Sequence, residues 1–147
     1  MGMYTELVLG LELKYDPDVI DILNYMLHEG PEPKINVTSH PLFQTDRWRF
    51  MLTCDSYYFD GQTDSKLFSE QTYVGPFDKT YYLNVRCNLK NYCSEIEKFL
   101  DWLAPYIETD GFVGYFRYEE FDDPTLIYND RGTIRYKATK DDYLTQK

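Results

Sequence analysis

The sequence predicts a single α+β domain: an antiparallel-rich sheet of about five to seven strands with two amphipathic helices packed on one face. Three observations point to it. Leu7, Leu9, Leu11 and Leu13 occupy alternate positions of one run, the pattern of a strand with a single buried face. Two later stretches space their apolar residues at helical intervals instead. The remainder holds short alternating segments bounded by glycine, proline, asparagine and aspartate, with no repeat and no shift in composition that would mark a second domain. The expected order is strand, helix, two or three strands, helix, three strands.

The first strand spans residues 5–13, with Glu6, Val8, Gly10 and Glu12 opposite the leucines. Asp16-Pro17 then opens a helix, an acceptor at the N-cap followed by a residue whose φ is already helical. Val19, Ile20, Leu23, Met26 and Leu27 line its apolar side, and Gly30-Pro31 is expected to stop it. Residues 28–46 contain Pro31, Pro33 and Pro41, show no period and read as a long loop. Residues 47–54 alternate again and are predicted to be a strand with Trp48, Phe50, Leu52 and Cys54 inward and Arg47, Arg49, Met51 and Thr53 outward. Tyr57-Tyr58-Phe59 would extend it, Asp60-Gly61 would turn it, and residues 66–74 would form another strand ended by Gly75-Pro76.

Residues 81–89 alternate clearly, with Tyr81, Leu83, Val85, Cys87 and Leu89 on one side and Tyr82, Asn84, Arg86 and Asn88 on the other. Ser94-Glu95-Ile96-Glu97 has capping-box spacing ahead of Ile96, Phe99, Leu100, Leu103 and Ile107, and Pro105 should kink or end that helix early. Three closing strands are expected at 112–119, 125–128 and 133–137. The last two are joined by a tight turn at Asn129-Asp130-Arg131-Gly132. The polar tail, residues 141–147, is expected to fray.

A chain of 147 residues with 43% hydrophobic and 18% aromatic content is ample for a packed core. No apolar run approaches a membrane span, and the N-terminus lacks the basic and apolar regions of an export signal. Three cysteines (Cys54, Cys87 and Cys93), odd in number and without such a signal, read as free thiols of a cytoplasmic protein. The chain carries 25 acidic against 15 basic residues, a formal charge of −10. That balance argues against binding double-stranded nucleic acid and in favour of a basic protein surface as partner.

No motif for a cofactor, metal or catalytic group rises above background. Asp60-Gly61 lacks the acidic residues of a calcium loop, and Gly111-Phe112-Val113-Gly114 is not a dinucleotide fingerprint. A Cys93–His40 pair is the only nucleophilic combination to weigh, with nothing local to support it. Two surfaces remain. The acidic loop of Glu119, Glu120, Asp122 and Asp123, together with Trp102 lying off the apolar stripe of the second helix, would meet a basic protein, since large aromatics anchor interfaces. Alternatively Arg47, Arg49, Tyr82, Arg86, Tyr115 and Arg117 would line an open sheet face able to take a small anionic ligand, a nucleotide or a single strand. The competing expectation is that these arginines pair with Glu6, Glu12 and Glu119 across neighbouring strands.

The runs Arg47-Trp48-Arg49-Phe50-Met51-Leu52-Thr53-Cys54-Asp55-Ser56-Tyr57-Tyr58-Phe59, Tyr82-Leu83-Asn84-Val85-Arg86, and Arg117-Tyr118-Glu119-Glu120 with Pro124-Thr125-Leu126-Ile127-Tyr128 resemble segments of small acidic proteins of phages and gut bacteria. The resemblance implies no particular activity and no site residues. It implies an accessory protein of a mobile element, including inhibitors of a host factor. The functional expectation is therefore a non-enzymatic, cofactor-free acidic protein-binding module.

Overall fold

The computed structural model describes residues 3–33, 39–56, 63–71 and 79–139. Its elements are β1 (Thr5–Leu13), α1 (Pro17–Met26), β2 (Lys66–Gln71), β3 (Lys79–Leu89), α2 (Glu95–Leu103), β4 (Gly111–Tyr118), β5 (Thr125–Asp130) and β6 (Thr133–Ala138), with short 3-10 turns at Pro41–Gln44 and Ala104–Tyr106. The strands form one sheet in the order β2-β3-β1-β4-β5-β6, and every neighbouring pair is antiparallel. From β1 to β4 the path interleaves two split β-α-β units, the strand order of the ferredoxin-like motif. The β5–β6 hairpin widens the sheet at one edge.

The leucine stripe of β1 explains the layering. Leu7, Leu9, Leu11 and Leu13 join Leu83, Val85, Cys87 and Leu89 of β3 in a single apolar core with both helices. α1 contributes Val19, Ile20, Ile22, Leu23 and Met26, and α2 contributes Ile96, Phe99, Leu100 and Leu103. Both helices therefore lie on one side of the sheet, and the alternate residues Val8, Gly10 and Glu12 face the other way.

Several local features follow the sequence. Asp16 caps α1 by accepting hydrogen bonds from the Asp18 and Val19 N–H groups at 3.0 and 3.1 Å. Pro105 falls in the 3-10 turn that ends α2. Arg131 and Gly132, both at positive φ, form the two-residue turn between β5 and β6.

Other features differ, each for a physical reason. Residues 47–54 are not a strand but a succession of turns, in which the Phe50 and Thr53 N–H groups donate to Arg47 and Phe50 carbonyls. The buried residues there are Trp48, Met51 and Leu52, and Phe50 is 56% exposed. Spacings of three and four, not two, thus fit this segment to the core. α1 closes on His28 rather than Gly30: His28 takes φ 61°, and the His28 and Glu29 N–H groups donate to Tyr25 and Asn24 carbonyls. The capping box of α2 does not form, because Ser94 is left-handed and its side chain caps nothing. Instead Asn91 Oδ1 accepts the Ile96 N–H at 2.8 Å, and buried Glu95 accepts the Cys93 N–H at 3.0 Å. Finally, the β4–β5 register shifts between Phe112 and Gly114. Val113 is the extra residue, so Phe112 turns outward with Tyr115 instead of inward with Phe116. The expected extension at 57–59, the turn at 60–61, positions 72–76 and the tail at 141–147 lie outside the described residues.

No described helix is long and apolar enough to cross a membrane.

At Gly114 the two backbones almost touch. A Cβ there would lie 2.0 Å from the Val8 carbonyl oxygen and 2.9 Å from Leu9 Cα. Gly114→Ala is expected to destabilise the protein by about 3 kcal/mol or more, because only backbone can give way. Gly10→Ala, with nothing within 4 Å of the added carbon, should stay within about 1 kcal/mol of the parent. Urea unfolding of the two variants checks the contrast.

Candidate functional site

A concavity lies on the helical side, where the start of α1, the turn at Pro41–Gln44 and the end of α2 converge. It is a groove of about 430 Å³ whose walls include Phe43, Trp102 and Tyr106 and whose rim includes Asp16, Asp18 and Asp101. Aromatic packing builds the wall. Phe43 stands edge-on to Trp48 at 4.9 Å and to Trp102 at 5.6 Å, and Trp48 in turn meets Tyr25 at 5.8 Å. Trp102 is therefore half-buried, one edge in this cluster and the rest on the groove.

His40 ties the loop to the helix. Its Nδ1 accepts the Leu42 N–H at 3.0 Å, and its Nε2 lies 2.9 Å from Asp101 Oδ2. Because Nδ1 accepts, the neutral ring carries its proton on Nε2 and donates it to Asp101. With both nitrogens engaged, His40 is a strut rather than a base. Its partners are thus Asp101 and the Leu42 N–H, whereas Cys93 lies exposed ahead of the opposite, N-terminal end of α2. Among the described residues no group of three histidine, cysteine or acidic side chains gathers as a metal site.

The acidic loop sits elsewhere. The Glu119 N–H donates to the Tyr4 carbonyl, and the Glu119 carboxylate accepts the Tyr4 N–H in return, which fixes the loop to the first end of β1. Glu120 and Asp122 are exposed and Asp123 is half-buried. Trp102 lies towards the other end of β1, where Leu13 bridges Ile107 and the Lys14 N–H donates to Tyr106. A strand of this length separates them by roughly 25–30 Å. The fold thus parts Trp102 from Glu119, Glu120, Asp122 and Asp123, and gives it Asp16, Asp18 and Asp101 instead.

The outward sheet face divides the second set as well. Tyr82, Arg86, Tyr115 and Arg117 do share it. Arg47 and Arg49 do not, since their segment is not in the sheet: Arg47 lies over the Tyr92 ring and Arg49 over the Trp48 ring, within 3.9 Å of Glu32. Arg86 and Arg117 flank Glu6, at 3.8 and 3.6 Å from its two oxygens, and Glu6 is only 5% exposed. Cross-strand neutralisation is what the geometry displays, with Glu6 as the shared partner.

The thiols are sorted by depth. Burial pushes the Cys54 thiol up, partly offset by a backbone hydrogen bond at Asp55, and complete burial pushes Cys87 up much further. Cys93 is exposed.

Little in the sequence could have revealed the groove. Its central link, His40 to Asp101, spans 61 residues, and the loop that supplies His40 and Phe43 has no period to read. The one local hint was His40-Pro41, an acceptor followed by proline.

No protein-family model, curated protein or solved structure matches this chain.

Two outcomes follow from these environments. Glu6→Gln should cost about 1–2 kcal/mol in urea unfolding, less than a fully buried ion pair because both arginines are partly solvated. Alkylation at neutral pH should label Cys93 first, Cys54 slowly, and Cys87 only once the protein unfolds, as peptide mapping would report. For half-buried Cys54 the rate should keep rising at pH values above the ordinary thiol range, since only the thiolate reacts and burial raises its pKa.

Proposed function

We propose that the protein is a non-enzymatic binding module that takes a basic segment of a protein partner into the groove beside Trp102. One observation carries the reading: three aromatic side chains and three carboxylates converge on the same open groove. A lysine or arginine side chain entering it would meet ring faces and negative charge together, an arrangement worth about 0.5–2 kcal/mol per cation beyond simple charge attraction. Asp101, with 80% of its side chain exposed, is placed to guide the approach. The overall charge of −10 favours the same class of partner by long-range steering. The resemblance to phage proteins fits an inhibitor that masks a basic surface of a host factor.

The reading separates from non-specific attraction by where substitutions act. A fluorescent nona-arginine peptide, followed by anisotropy, should bind the full chain and weaken as salt is raised. Trp102→Ala, which alters no charge, is expected to weaken binding about tenfold, close to 1.4 kcal/mol. Asp18→Lys should weaken it by a similar factor. Asp122→Lys with Asp123→Lys, at the distant loop, should change it no more than about threefold. The reverse ranking would place the peptide on the acidic loop and overturn the assignment to the groove. Circular dichroism of each variant controls for folding.

A further inference from the structure

A sheet covered by helices on one side ordinarily turns polar residues to the other. Here the outward side carries Phe68 and Tyr82 beside one another on β2 and β3, and Phe112, Tyr115, Leu126 and Tyr128 on β4 and β5. Phe68 is 46% and Phe112 is 53% exposed. The shift at Val113 is what brings Phe112 to this side, edge-on to Tyr128 at 5.7 Å.

The charges on this face nearly balance: Arg86, Arg117, Arg135, Lys66 and Lys137 stand against Glu6, Glu12, Glu70 and Asp130. Arg86 and Arg117 flank Glu6, and Arg135 holds Asp130 at 2.8 Å. The excess of negative charge in a chain of −10 therefore resides on the helical side and in the loops. Two copies approaching through any of those surfaces repel one another, whereas the outward sheet face opposes contact least. The same balance disfavours other occupants: a polyanion finds arginines already engaged, and a basic partner is drawn to the acidic groove instead.

The size is also sufficient. Six strands spaced at about 4.8 Å, with a mean length near 25 Å, give roughly 600 Å² of projected face. Two such faces bury on the order of 1,200 Å², the lower bound of stable protein interfaces.

We propose that this face is where two copies of the chain associate, sheet against sheet, about a two-fold axis that runs along the strands. Such an axis lays β3 of one copy on β5 of the other and β2 on β6, so that Tyr82 meets Leu126 and Tyr128 while Phe68 packs over β6. A patch balanced in charge is compatible with its own image, which an isologous contact requires. Gly10, near the middle of the face with nothing within 4 Å of where its Cβ would be, lets the two sheets approach at the centre.

Sedimentation velocity on the full chain tests this. The protein should be dimeric at about 100 µM in 0.5 M salt and dissociate more readily at low salt, because screening relieves repulsion between two acidic copies. That trend is opposite in sign to the one expected for peptide binding in the groove, so the two proposals fail separately. Phe68→Glu combined with Phe112→Glu should shift the protein to monomer, with the circular dichroism spectrum unchanged. Gly10→Cys in a Cys93→Ser background should give dimers cross-linked by a bismaleimide, whose arms span the roughly 10 Å between packed sheets, and Asp18→Cys in the same background should not. A monomer at high salt, a dimer that survives both glutamates, or cross-linking through position 18 but not position 10 would each overturn the proposal.

Discussion

The whole architecture depends on how closely β4 can lie against β1. β1 lies between β3 and β4, the two strands that α2 joins. At Gly114 the approach is so close that no side chain fits between the strands. Moving β4 outward by the width of a methyl group would loosen its pairing with β1 and displace the β5–β6 hairpin with it. A single hydrogen atom in place of a side chain thus sets the spacing from which the rest is built.

That spacing also sorts the surfaces. Because both helices go to the leucine side, the loops joining them gather carboxylates and aromatic rings on that side, and the sheet's other side is left to neutralise itself. The arginines that appear out of place in an acidic chain are largely absorbed locally: Arg86 and Arg117 by Glu6, Arg135 by Asp130 and Arg49 by Glu32. Negative charge has no such internal partners in equal number, and it accumulates where the groove opens.

The sequence was legible wherever one periodicity dominated. β1, β3 and both helices announce themselves because the buried positions recur at two or at three-to-four residues, and a single face goes to the core. Residues 47–54 misled because arginine, tryptophan and phenylalanine alternate there by type. The depth of burial instead follows Trp48, Met51 and Leu52, and only the packing of Phe43 and Tyr25 around Trp48 decides that. Alternation from Phe116 would put Phe112 inward, but an extra residue in a strand reverses every side before it and leaves no mark in composition. The candidate sites were half legible. Tyr82, Arg86, Tyr115 and Arg117 were placed together by alternation alone, whereas the company kept by Trp102 depends on long-range closure between His40 and Asp101.

The central position of the first strand has a consequence in time. Thr5 pairs with Leu89 on one side and Tyr118 on the other, so β1 is synthesised well before either of its partners. At synthesis rates of about 5–20 residues per second, its leucines wait on the order of 5–20 s for the strand that closes the sheet beside them. During that interval the chain holds a long apolar ribbon with open hydrogen-bonding edges, the kind of segment that pairs with strangers. The N-terminal strand that anchors the finished protein is therefore also its most exposed liability while the protein is being born, and α1, which follows within a few residues, is the cover available to it first.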